Sequence, residues 1–404
     1  MKRARILVLN QYFPPDTSAT AQRIRDVVEA LGRHYQVQVL CGRPSYQPES
    51  VHPYYIWRSF KENLYTVERV GSTAFHRVRW IGRLSNYLSY LGLMLLRAFT
   101  ISADLVIAHT DPPVVGIVGA LIARIQRKPF IYNIRDLHPD MALSSGIIRP
   151  AWWVRLWDTL HRWALRHADR VIVLGEDMRE RIIQKGVHPK KVVVVRDGAL
   201  TFNTNGLSPE HPTWKLIRRG FPFVICHAGN LGFYGAWDSL AESIRQFMGD
   251  SIGFVFIGDG VARRRIENRL NGSPHVWFMD YRPADELGYV LRAPDVHVVA
   301  LRKGLEGLVV PSKLYPILMA GRPVLALVPE KSDVARIVQQ HQCGLVVDPD
   351  DPNAIAAAIR WFRDHPDERK AMGERARKIA REFSREVQME RYLQVVREVV
   401  EGRV

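Results

Sequence analysis

Short apolar runs alternate along this chain with longer amphipathic stretches. In the first half the runs fall at 6–9, 37–41, 105–108, 130–134, 171–174 and 192–195, with helical patterns among them, as at 19–31 and 152–167. In the second half they recur at 223–227, 252–257, 276–278, 296–300, 324–327 and 344–347. Apolar strands separated by helices predict a parallel sheet covered on both faces, because each crossover lays a helix against the sheet. The 404 residues exceed what one core holds, since single cores stop growing near ~250–300 residues. The stretch 202–213, rich in Asn, Gly, Pro and Thr with no apolar period, reads as the joint. The expected organisation is a first domain at 1–202, a linker at 203–213, a second domain at 214–385 and a final helix at 386–404 packing back towards the first domain. The fold class is α/β, with two Rossmann-like doubly wound parallel sheets facing a central cleft. Ligands of such sheets bind outside the carboxyl ends of the strands, so the loops after the strands are the places to search.

Five loops there carry candidate chemistry. In N-Q-Y-F-P-P-D-T-S-A-T-A (10–21), Asp16, Thr17 and Ser18 precede a helix that opens near Ala19. They serve equally as ordinary caps or as the rim of an anion site at a helix N-terminus. I-R-D-L-H-P-D (134–140) places Asp136, His138 and Asp140 after a strand, where an imidazole and carboxylates can orient a sugar hydroxyl or a proton. The alternative there is local turn chemistry, and His109, alone after its strand, reads as structural. H-A-G-N-L-G-F-Y-G (227–235) spaces Gly229, Gly232 and Gly235 for close backbone approach to a diphosphate, with Asn230 as a polar contact, or for a tight strand–helix turn. I-G-D-G (257–260) is a further glycine turn, built on Gly258, and Arg263, Arg264 and Arg265 after it read as a solvated helix face. The most informative is E-G-L-V-V-P-S-K-L-Y-P-I-L-M-A-G-R-P (306–323). There Pro311 precedes Ser312 as an expected N-cap, and Lys313 and Leu314 open the helix. A cation in a first turn opposes the helix dipole unless an anion neutralises it, which points to a bound diphosphate. Glu306, just upstream, can bind sugar or ribose hydroxyls.

Charge narrows the partners. The net charge is +16, and it is uneven: residues 1–200 hold 29 Lys and Arg against 16 Asp and Glu, whereas the rest hold 28 against 25. A basic first half suits nucleic acid, a membrane surface or a phosphorylated substrate, or a soluble surface with no partner. Two stretches, 76–97 and 152–170, mix Arg with Trp, Tyr and Leu, the pattern of a helix lying in a membrane interface and equally of a core helix with a basic outer face. The three cysteines, Cys41, Cys226 and Cys343, have no metal-ligand spacing, so a reducing compartment and no metal site are expected. The opening Met-Lys-Arg-Ala-Arg leads directly into a strand, and the uncharged run at 84–96, with 13 residues, falls short of the roughly 20 of a spanning helix. The expected location is cytoplasmic, peripheral on the cytoplasmic face of the membrane.

Taken in order, N-Q-Y-F-P-P-D with A-T-A, C-G-R-P-S-Y (41–46), I-R-D-L-H-P-D, A-G-N-L-G, G-D-G, and E-G-L-V-V-P-S-K-L-Y with A-G-R-P resemble family 4 of the retaining glycosyltransferases with the GT-B fold. The resemblance runs nearly full length and is strongest to the fucosamine transferase-like branch of bacterial surface-polysaccharide synthesis. It implies transfer of a sugar, with retention of configuration, from a nucleotide diphosphate sugar, UDP-linked, to a glycan or a polyprenyl-diphosphate-linked acceptor, without a cofactor. It implies Asp136, His138 and Glu306 as catalytic residues. Asp16, Thr17, Ser18, Gly229, Asn230, Gly232, Gly258, Glu306, Pro311, Ser312, Lys313 and Leu314 become the donor contacts. The sequence departs from the family where two glutamates stand eight apart: those positions are Leu308 and Pro316 here, and Glu306 is the nearest acid. The base that follows the glycine loop in the family is also missing, and Lys313 is the substitute. Two rival readings remain. A non-hydrolysing nucleotide-sugar epimerase would form product from donor alone. A basic nucleic-acid-binding protein would bind polynucleotide with a steep salt dependence, but no base-reading module is present.

Overall fold

The computed structural model describes residues 3–16, 18–44, 56–73, 80–202 and 206–402. Thr17, the Ser45–Tyr46 end of C-G-R-P-S-Y, residues 76–79 of the first Arg/Trp stretch and residues 203–205 of the expected linker lie outside the described residues.

The first sheet has eight strands: β1 (Arg5–Leu9), β2 (Gln36–Cys41), β3 (Trp57–Lys61), β4 (Tyr65–Val70), β5 (Leu105–Ala108), β6 (Phe130–Asn133), β7 (Arg170–Val173) and β8 (Val192–Val194), in the order β3-β4-β2-β1-β5-β6-β7-β8. The second has six: β9 (Phe223–Ala228), β10 (Ile252–Ile257), β11 (Val276–Met279), β12 (Val296–Ala300), β13 (Val324–Leu327) and β14 (Gly344–Val347), in the order β11-β10-β9-β12-β13-β14. Every pairing is parallel except β3 with β4, a hairpin at the sheet edge. The apolar runs did not predict this hairpin. β3 is exposed throughout, and β4 buries Glu68 and Arg69 among its valines. Those two polar side chains are satisfied inside: Glu68 accepts from Gln38 at 2.6 Å and from Arg97, and Arg69 donates to the Gly42 carbonyl at 2.9 Å.

Six helices of the first half matter below: α1 (Ala19–Gly32), α2 (Trp80–Phe99), α3 (Val115–Gln126), α4 (Asp140–Ser144), α5 (Trp152–His167) and α6 (Glu176–Gln184). A helix at Pro212–Arg218 begins inside the expected linker, where His211 caps it by accepting from Thr213 N–H. The last helix, Arg385–Val400, buries Tyr392, Leu393 and Val396 against Ile6 and Val8 of the first sheet and Ile24 of α1, and Arg385 pairs with Asp26 of α1 at 2.7 Å. One apolar core continues from the first sheet through Leu137 and Met141 to Leu305, Leu308 and Tyr315 of the second half. The two sheets therefore share packed surface, and the carboxyl-end loops of both meet over it.

Candidate functional site in the cleft

The loop after β6 sends its side chains to different places. Arg135 turns into the first sheet and forms a two-pronged ion pair with Asp197, both contacts at 2.8 Å. The Leu137 N–H crosses to the other half and donates to the Leu308 carbonyl at 2.9 Å. His138 stacks on Trp157 of α5, ring centres 5.8 Å apart, and burial pushes it down to about 4. Asp140 pairs with Lys185 at 2.6 Å. Only Asp136 faces the cleft. Its carboxyl is pushed up to about 6, first by burial and then by the charge of Asp111.

From the second sheet, the loop after β9 is held backbone to backbone against the loop after β10: Gly229 N–H donates to the Ile257 carbonyl at 2.7 Å and Leu231 N–H to Asp259 at 2.9 Å. Two glycines are required by this contact. Gly229 sits at φ +123° with the Lys313 stem across it, so that a Cβ would lie 2.8 Å from Lys313 Cε. Gly258 sits at φ +133°, and a Cβ there would lie 2.3 Å from the Gly229 carbonyl oxygen. Gly258 thus supports the loop from behind. Trp237 closes the turn, donating its Nε1–H to the Gly232 carbonyl at 2.5 Å.

Lys313 is the centre of this half. The helix after it is Leu314–Ala320, and the structure corrects the expected cap: Lys313 itself, not Ser312, occupies the N-cap position, with no side-chain capping bond. Its Nζ lies 2.8 Å from His227 Nε2 and 2.8 Å from the Asn230 carbonyl. The tautomer of His227 follows from its other contact. Nδ1 is 3.2 Å from the Val298 carbonyl, which can only accept, so Nδ1 carries the proton and Nε2 offers a lone pair to Lys313. Burial, and then the Lys313 charge, drive His227 well below its ordinary value, so the ring stays neutral. Lys313 in turn is pushed down to about 7 by burial. Two protein acceptors leave one of its three N–H groups for a ligand. The ammonium is thus held by protein acceptors, so its place in a first turn does not by itself require a bound anion.

These groups converge. A cavity of about 200 Å³ is lined by Asp136 from the first half and by Asn230, Gly232, Pro311, Ser312 and Lys313 from the second. Tyr234 and Trp237 complete its wall. Sequence reasoning gave neither aromatic a role, although Tyr234 stands in the glycine loop it singled out and Trp237 lies two residues beyond it.

The other candidates lie elsewhere. Glu306 accepts from Gly304 N–H at 2.8 Å and faces Arg181 of α6 at 3.6 Å, so it belongs to the contact between the halves rather than to the cavity wall. Asp16 is fully buried behind the first loop. Ser18 caps α1 by accepting from Ala21 N–H at 3.2 Å, the ordinary of its two readings. Leu314 is core. Among the described residues no group of three or more His, Cys, Asp or Glu is placed to hold a metal ion.

Two Rossmann-like sheets with loops meeting at a cleft are the architecture called GT-B, and the comparisons agree. Residues 18–198 match the Glycosyl transferase 4-like domain, and residues 222–365 match Glycosyl transferases group 1. A probable glycosyltransferase of Pseudomonas aeruginosa, WbjE, is 26% identical over 268 residues, which cover 63% of this chain and 65% of that protein, just short of two thirds. The putative colanic acid biosynthesis glycosyl transferase WcaI of Escherichia coli K12 is 21% identical over 379 residues, covering 88% of this chain and 91% of that one. The crystal structure of Anabaena HepE in complex with UDP-glucose superposes with a TM-score of 0.68 at 17% identity, over 98% of this chain and all of that one. The chain is a glycosyltransferase of family 4 with the GT-B fold.

Proposed function

We propose that this enzyme transfers a sugar, with retention of configuration, from a UDP-sugar to a glycan or lipid-linked acceptor of surface-polysaccharide synthesis, as in the fucosamine transferase-like branch. The observation that carries this reading is the convergence of Asp136 with Asn230, Ser312 and Lys313 on one cavity between the sheets. Breaking the donor's glycosidic bond places negative charge on the departing diphosphate, and groups aimed at that charge lower the barrier. The free N–H of Lys313 and the Ser312 hydroxyl take that task, while His227 and the Asn230 carbonyl hold the lysine in place. Asp136, from the opposite side, orients the sugar and the incoming acceptor hydroxyl. The relatives support the direction of this reading: WcaI is named for colanic acid biosynthesis and HepE was crystallised with UDP-glucose.

The cavity, about 200 Å³, is smaller than the ~300–1,000 Å³ of ordinary ligand pockets, so a whole nucleotide sugar enters by widening the cleft. The test is a thermal-shift panel of nucleotide sugars. A ligand at about 100 times its dissociation constant stabilises by ~2.7 kcal/mol. A rise with UDP and one UDP-sugar supports the reading; a rise only with nucleotides of another base contradicts the UDP assignment.

A further inference from the structure

The Trp/Arg stretches of the sequence are not absorbed by the cleft, and the structure sorts them. Of the four tryptophans at 152–163, two face inwards: Trp157 stacks on His138, and Trp163 packs against the core and His167. The other two face out. Trp152 is 77% exposed, and with Trp153, Leu156 and Leu160 it forms an apolar stripe along α5, at the spacing of one helix face. The neighbouring α3 packs on α5 and exposes Leu121 and Ile125; α2 packs on α3 and exposes Leu88 and Leu96. Three adjacent helices of one layer thus each leave apolar side chains uncovered. The second half shows no such layer: its exposed large apolar residues, Leu216, Met248, Val261 and Tyr281, are scattered.

The charges on the same helices are basic. Among the described ion pairs, none joins Arg124, Arg127, Arg155 or Arg166 to a carboxylate. The acid of this face, Asp158, is already held by Arg162 at 2.7 Å and Lys185 at 2.7 Å. A second copy docked on this face would set arginines against arginines, and a polynucleotide would leave the apolar stripes in water. A bilayer with anionic headgroups satisfies both parts, because the arginines meet phosphate while Trp and Leu enter the interface. No helix of the described residues is long and apolar enough to cross a membrane, so the contact is with its surface.

The position of this face relative to the cleft gives it a use. The loop that carries Asp136 into the cavity ends at Asp140, which lines a groove of about 610 Å³ beside Trp152 and Arg155. We infer that the α2–α3–α5 face docks on an anionic lipid surface, with Trp152 and Trp153 inserted, so that this groove opens at the bilayer next to the catalytic cleft. This deepens the acceptor half of the proposed function: a lipid-borne acceptor reaches Asp136 without leaving the membrane. The donor half stands apart from it.

The experiment is co-sedimentation with phosphatidylcholine vesicles with and without phosphatidylglycerol, at low and high salt, for the wild type and for the combined Trp152→Ser, Trp153→Ser, Leu156→Ser and Leu160→Ser variant. The wild type should bind the anionic vesicles, more weakly at high salt but not to zero. The variant should bind at least about tenfold more weakly while keeping its thermal shift with UDP. In parallel, brominated phosphatidylcholine in the anionic vesicles should quench the wild-type tryptophan emission and spare that of the Trp152→Phe, Trp153→Phe variant, a measurement that asks little of the fold. Equal binding by wild type and variant, no binding at low salt, or a wild-type dimer that the variant abolishes would each overturn the assignment. A lost UDP shift in the wild type would instead strike the donor reading alone.

Discussion

Asp177 and Asp333 cap each other's helices across the contact between the two halves of the molecule. Asp177 Oδ2 accepts from the Asp333 N–H at 3.0 Å, and Asp333 Oδ1 accepts from the Glu176 N–H at 3.0 Å. Each carboxylate sits at the positive end of the other's helix. Asp177 also accepts from Gly307 N–H at 3.0 Å, next to Glu306, and Arg196 holds Asp333 at 2.8 Å. The contact joins the half that carries Asp136 to the half that carries Lys313. In the proposed reaction, where donor entry widens the cleft, this contact would set the closed position.

Replacing Asp177 by Ala leaves the buried N–H groups of Gly307 and Asp333 unpaired. Unsatisfied donors cost about 1–3 kcal/mol each, so at roughly 2–4 °C per kcal/mol for domains of this size the variant should melt at least about 4 °C lower. It should also show a higher KM for the donor, because the closed cleft is less populated. An unchanged melting curve would mean that the reciprocal caps carry no energy.

The strands were legible because apolar runs on a doubly covered sheet need no alternation. The edge hairpin was not, since its strands carry Arg58, Lys61, Glu68 and Arg69. In the cleft, strand-end position suffices to mark the loops of Asp136 and Lys313, but it does not say which way each side chain turns. Hence His138 and Glu306 stood beside Asp136 and Lys313 in sequence reasoning, yet the structure sends one to Trp157 and the other to Arg181. The Asp177–Asp333 pair, 156 residues apart, left only the sign of acidic first turns, which any capped helix shows.

Lys313 as the diphosphate ligand should make donor binding sensitive to pH. Its pKa in the free protein is pushed down to about 7 by burial. A diphosphate favours the charged form, so UDP binding above that pH takes up a proton. Affinity should therefore fall as pH rises from about 7.5 to 9, where UDP itself stays ionised, and calorimetry in buffers of different ionisation heat should show the uptake. The same depression means that the unfolded chain holds the lysine proton more tightly, so this group adds stability as pH rises from about 7 towards 10.5. Lys313→Met should flatten that rise. Affinity independent of pH would remove Lys313 from the diphosphate.

His227 acts through Lys313. His227→Phe keeps the ring against Trp237, whose centre lies 4.7 Å away, but removes the Nε2 acceptor. A charge-assisted hydrogen bond is worth about 1.5–3 kcal/mol, so UDP affinity at pH 7 should drop roughly tenfold or more, with the pH at which it declines moving lower. A uniform loss at every pH would indicate a merely structural residue.

In the proposed reaction Lys313 and its neighbours take the leaving charge, so turnover should survive EDTA. Full loss restored by Mg²⁺ or Mn²⁺ would place that charge on a metal. In the same assay, product formed from donor without acceptor would favour the epimerase chemistry.

In the proposed reaction, donor binding and chemistry come from opposite walls of one cleft. Release of UDP from the UDP-sugar that stabilises the enzyme tests it, measured with acceptor for the wild type, Lys313→Met and Asp136→Asn alongside UDP affinity. Lys313→Met should lose both binding and turnover. Asp136→Asn should keep UDP affinity within a few-fold yet lose about 100-fold or more in turnover. Lys313→Met with wild-type UDP affinity, or Asp136→Asn with wild-type turnover, would contradict it.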